Sequence, residues 1–96
     1  MHPGTRIARL IGRRLRKAGW RDVKVEHSPI SCSRYVTAWE VDTNRDAAFR
    51  ISDHYLPSGN DMRYTCIDLE AATGPRPIGE LLTEAEALVK DVIEDN

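Results

Sequence analysis

Apolar positions recur with a helical period at the start of the chain. At about 100° per residue, Ile7, Ala8, Ile11, Leu15 and Ala18 share one face, and Arg6, Arg9, Arg13, Arg16 and Lys17 occupy the opposite one. The pattern predicts a helix over residues 5–18, with Thr5 as its N-cap and residues 1–4 as a flexible lead-in. Gly19 stands where a left-handed C-terminal residue belongs, and Trp20 is placed to fold back as the apolar contact of that cap. Gly12, inside the same stretch, weakens the helix.

The period then changes to two. Residues 22–26 put Val23 and Val25 on one side of a short strand, and Pro29 marks the connection that follows. Residues 34–41 read as a stronger strand, with Tyr35, Thr37, Trp39 and Val41 on one face and Val36, Ala38 and Glu40 on the other. A turn-rich run, Asp42-Thr43-Asn44-Arg45-Asp46, leads to a third strand over 47–52 carrying Phe49 and Ile51. If Trp39 and Val41 share a core with Phe49 and Ile51, the connecting loop must have odd length or carry a bulge near Asn44. A fourth strand is expected over 62–70 and a loop over 71–79, rich in Gly and Pro. The closing helix begins at Glu80 or Thr83 and runs to Glu94. Thr83 and Glu86 match a T-x-x-E capping box, and Leu81, Leu82, Ala85, Leu88, Val89, Val92 and Ile93 form its apolar stripe.

The expected fold is α+β: a two-layer sandwich of order α-β-β-β-β-α, with both helices on one face of an antiparallel sheet. Ninety-six residues suffice for one domain spanning 1–96 and for one core. No apolar run approaches the ~20 residues of a membrane span, and the first residues lack the apolar segment of a secretory signal. A cytoplasmic location, without membrane partners, is the expectation. Cys32 and Cys66 are too few for a disulfide framework and read as reduced thiols.

A formal net charge of −1 conceals a strong polarity. Residues 1–24 carry +7, residues 25–66 carry −2 and residues 67–96 carry −6. The arginine stripe of the first helix suits phosphates or an acidic protein surface, and it also suits plain solvation or packing beside the acidic last helix. Side-by-side helices with interlocked Arg and Glu tips would remove the main support for an external target. No aromatic platform or nucleic-acid motif accompanies the stripe, so a nucleic-acid-binding module is the alternative reading, not the first. The element order is similar to that of double-stranded-RNA-binding domains. Their second helix opens with a basic cluster, whereas here it opens Glu80-Leu81-Leu82-Thr83-Glu84-Ala85-Glu86, and those carboxylates would repel RNA.

Hairpin pairing also gathers Ser31, Ser33 and Arg34 with Ser52, Asp53 and His54, close to Tyr55. A Ser, an Asp and a His in one neighbourhood fit nucleophilic catalysis in type. However, Asp53 and His54 are chain neighbours whose side chains point to opposite faces of an extended strand, and no nucleophile-elbow motif is present. His27, Cys32, His54 and Cys66 have the right donors for a metal but match no zinc spacing. Neither a cofactor nor a metal is expected, and a small enzyme or metal protein centred on His54 is the second alternative.

The segments Ile30-Ser31-Cys32-Ser33-Arg34-Tyr35-Val36 and Arg50-Ile51-Ser52-Asp53-His54-Tyr55-Leu56-Pro57 resemble recurring segments of small phage and prophage accessory proteins. In size and charge segregation the chain also resembles anti-CRISPR inhibitors. That resemblance implies stoichiometric, non-enzymatic binding to a host protein complex such as a CRISPR effector subunit, by a monomer or weak dimer. The expected contacts are Arg9, Arg13, Arg16 and Lys17 of the basic helix face, then Arg34 with the polar loop over 54–61, which includes His54 and Tyr55 and follows Asp53.

Overall fold

The computed structural model describes residues 2–29, 33–52 and 64–95. Helix α1 runs Pro3–Lys17. It starts earlier than the Thr5 cap predicts, because Pro3 supplies a helical φ at the first position and the His2 imidazole accepts the Gly4 N–H at 3.0 Å. Its other end matches expectation. Gly19 adopts φ +91°, the Gly19 N–H reaches the Arg16 carbonyl, the Trp20 N–H reaches the Leu15 carbonyl, and the Trp20 ring is buried beside Leu15.

The chain then forms β1 (Arg21–His27), β2 (Arg34–Glu40), β3 (Arg45–Ser52) and β4 (Thr65–Asp68), hydrogen-bonded in that order. β1 to β3 form an antiparallel meander, but β4 lies parallel to β3, so the sheet is mixed and not wholly antiparallel. The chain between Ser52 and Thr65 is long enough for the crossover that parallel neighbours need. The expected fourth strand is shorter than 62–70, and residues 61–63 lie outside the described set. Part of the predicted loop is a small hairpin, β5 (Glu70–Ala71) against β6 (Gly74–Pro75). Helix α2 runs Ile78–Glu94. Thr83 is interior to it and donates to the Gly79 carbonyl, so the T-x-x-E match does not mark its start.

The β2–β3 register corrects a second expectation. Val36 pairs with Phe49, Ala38 with Ala47 and Glu40 with Arg45, around a four-residue turn at 41–44. The loop is even, so Val36 and Ala38, not Trp39 and Val41, share a face with Phe49 and Ile51. Trp39 is half-buried on the opposite face and donates its indole N–H to Asn44 Oδ1 at 3.0 Å, while Val41 is exposed. Glu40 closes the turn by accepting the Asp42 and Thr43 N–H groups, each at 2.9 Å.

Both helices cover one face of the sheet, as the order predicts. Ile7, Ile11 and Leu15 of α1 and Leu81, Ala85 and Val89 of α2 pack onto Val36, Phe49, Ile51 and Ile67, all buried. Arg45 secures the far end of α2: it stacks over the Trp20 ring at 5.4 Å and donates to the Val92 carbonyl at 2.7 Å. A cation there offsets the acidic C-terminal turn, where Glu94 and Asp95 oppose the helix dipole.

Candidate functional site, a cationic groove between α1 and β1

α1 and α2 lie side by side, and one Arg–Glu pair is interlocked across them. The Arg14 guanidinium forks onto Glu86, with Nε at 3.1 and 3.0 Å from the two carboxylate oxygens and Nη2 at 2.7 Å. The hydrogen bond from Arg14 holds the Glu86 carboxyl below its ordinary range, against a smaller opposing effect of burial. This overturns the expectation that the two helices face water independently, and it removes the charge polarity of the whole chain as support for an external target. That support now rests on the arginines that do not face α2. Arg76 does similar work at the start of α2, pairing with Glu80 at 2.8 Å and Glu84 at 2.6 Å.

The rest of the stripe points elsewhere. Arg9, Arg13 and Arg16 line an open groove of about 610 Å3 between α1 and β1, together with Thr5, Val25, Glu26, His27 and Arg34. α1 runs back along β1 because the Gly19 cap reverses the chain. Gly12 faces Val23 and Val25, and Arg16 Nη2 reaches the Val23 carbonyl at 3.5 Å. Near the start of α1, Arg34 is 8% exposed and its stem packs against Gly4. Four guanidinium groups bring positive charge and directed N–H donors to this groove. Among the described residues the lining also includes one carboxylate, Glu26.

Among the described residues β1 is an edge strand, and six of its seven residues are exposed. Val25 is 40% exposed, unusual for a valine in a strand beside a helix. A bulge between Arg21 and Lys24, with Asp22 at φ +52°, twists the strand's first half.

The expected site residues thus separate. Arg9, Arg13, Arg16 and Arg34 come together in the groove. Lys17 is exposed and outside its lining. Asp53, His54 and Tyr55 lie outside the described residues, as do Ser31 and Cys32. Of the polar cluster, Ser33 and Ser52 are adjacent to the Arg34–Ile51 pair and fully buried. In the observed register Tyr35 pairs with Arg50 and Arg34 with Ile51. Among the described residues, no group of three or more His, Cys, Asp or Glu side chains is disposed to hold a metal. None of their helices is long and apolar enough to cross a membrane. Charge pattern alone missed Val25, Glu26 and His27. Their alternation signalled a strand, but only the sheet order makes that strand an edge.

No family model, curated protein or solved structure in the comparisons made matches the chain.

Proposed function

We propose that this chain is a non-enzymatic binding protein that seats an acidic surface of a larger protein in the α1–β1 groove. The observation that carries the reading is the convergence of Arg9, Arg13, Arg16 and Arg34 from two elements on one open groove. An edge strand and an exposed valine sit in the same lining, which suits a polypeptide. Glu26 in the lining interrupts the continuous cationic track that a phosphate backbone follows. The narrower form of the reading is an inhibitor of a host complex, such as a CRISPR effector, encoded by a phage or mobile element. Its support is the likeness of the two segments quoted above.

The test uses two labelled polyanions, polyglutamate and a short DNA duplex, with the wild type and the R13E/R16E variant. The expected result is polyglutamate binding that falls about tenfold for each reversed arginine, with weaker DNA binding at physiological salt. Tighter DNA binding with a steep salt slope would replace the reading by a nucleic-acid-binding one. Polyglutamate binding unchanged in the variant, or absent at low salt, would end it.

A further inference from the structure

We infer that the groove takes its partner as an added β-strand: an extended acidic segment of another protein pairs antiparallel or parallel with the free edge of β1. The inference rests on the binding reading above and deepens it. The Ser28 N–H bonds to the Ser33 carbonyl at 2.9 Å, which fixes the alternation of the β1–β2 ladder. Residues 24 and 26 then exchange hydrogen bonds with Thr37 and Tyr35, whereas the N–H and C=O groups of Val25 and His27 point outward. No strand pairs with that edge among the described residues.

The same two residues face the helix layer. Val25 pairs with Val36, a core residue, and Val25 Cγ2 would lie 3.5 Å from a Cβ at Gly12. A strand hydrogen-bonded to Val25 and His27 would present every second side chain on that side, beneath Arg13 and Arg16. Alternate residues of a strand are about 6.8 Å apart. Positions four apart on a helix, such as Arg9 and Arg13, rise about 6 Å. Acidic residues at alternate positions therefore match the arginine spacing, while main-chain bonds supply register, as in strand-addition recognition generally. Arg16 already touches the Val23 carbonyl, so its guanidinium reaches the rim where the added strand would lie.

A second copy of this chain is a poorer occupant. Antiparallel β1–β1 pairing about a two-fold axis puts both helix layers on one side, with the arginine stripes facing each other across the seam. An acidic partner strand removes that repulsion.

The probe is a short acetylated peptide alternating glutamate with threonine. It is prepared plain, with N-methyl groups on the alternate amides that would face β1, and with N-methyl groups on the other set. Anisotropy is read with wild type and with R13E, whose fold is checked by circular dichroism. Amide exchange is read by NMR. The expected result is binding of the plain peptide, loss of about tenfold or more on methylation of one amide set only, and a similar loss in R13E. The Val25 and His27 amides gain protection, and the Glu26 amide changes little. Binding indifferent to both methylation patterns, without new protection at Val25 and His27, overturns strand addition and leaves the charged-groove reading standing. No peptide binding while polyglutamate still binds has the same meaning. No binding of either polyanion removes both.

Discussion

Gly12→Ala should stabilise this protein, and the amount follows from what surrounds the position. Gly12 is buried in the interior of α1, where glycine costs about 0.8–1.0 kcal/mol relative to alanine because more backbone freedom is lost on folding. A Cβ placed there would lie 3.5 Å from Val25 Cγ2, 3.6 Å from Val23 Cγ1 and 3.7 Å from an Arg16 guanidinium nitrogen. These are van der Waals separations, each adding about 0.1–0.2 kcal/mol of dispersion without overlap. The methyl also leaves water for a site between helix and strand. The combined gain is about 1–1.5 kcal/mol. In urea the midpoint should rise with an unchanged slope, and the melting temperature should rise by about 4–12 °C. Gly12→Leu supplies the control. Its extra atoms must enter the space of Val23 and Val25, so it should lose about 1–3 kcal/mol. An alanine variant no more stable than wild type would show that α1 and β1 stand closer than described, and the groove built on that spacing would go with it.

Gly19→Ala should act in the opposite sense, losing about 1–2 kcal/mol in urea denaturation; nothing lies within 4 Å of the new Cβ, so the loss reports the φ of +91° alone. Glu86→Gln should lower stability at neutral pH. Because Arg14 holds the Glu86 carboxyl below its unfolded value, the contribution is present above the unfolded value and disappears as pH falls through the folded one, so the two proteins should converge in acid. Asp68→Asn should have the reverse sign: burial first, and then the nearby Glu84, push the Asp68 carboxyl up, so wild type loses stability as pH rises through that value. The variant should therefore be the more stable at neutral pH, and its advantage should vanish in acid, as read from urea midpoints across the carboxylate range.

The sequence is legible at the end of α1, where a single glycine decides the outcome, and not at its start, where Pro3 and His2 displace the Thr5 cap. Gly19 followed by Trp20 ends α1 as expected, because only glycine takes that φ without cost and the indole has one apolar place to go. Features that depend on a distant element were not legible. Trp39 is the largest apolar side chain of β2, and its size argued for the core. Its N–H needed a partner, however, and Asn44 at φ +53° supplies one over the turn, while two close helices leave room for Val36 and Ala38 beneath them. The direction of β4 has no signature in its periodicity, since residues alternate alike in parallel and antiparallel strands. Thr83 and Glu86 have capping-box spacing, yet Glu86 is drawn across to Arg14, a residue 72 positions away.

The division of the basic block follows from angle. Counting about 100° per residue from Arg9, Arg13 lies near 40° and Arg16 near −20°, so the three form one ridge. Arg14 falls near 140°, beside Ile7 and Ile11, on the flank of the apolar face that meets α2. Gly12, near 300°, is the opposite flank, and it meets β1. Its missing side chain lets the strand approach, so the arginine ridge beyond it overhangs the edge of the sheet. One helix thus uses its charges in two ways. The cation on the α2 side pairs with Glu86 at the surface, and the ridge on the β1 side stands over an edge that no strand among the described residues occupies. A change that fills the Gly12 flank with a large side chain should therefore weaken acidic-peptide binding even with every arginine retained, because it lifts the ridge away from the strand it overhangs.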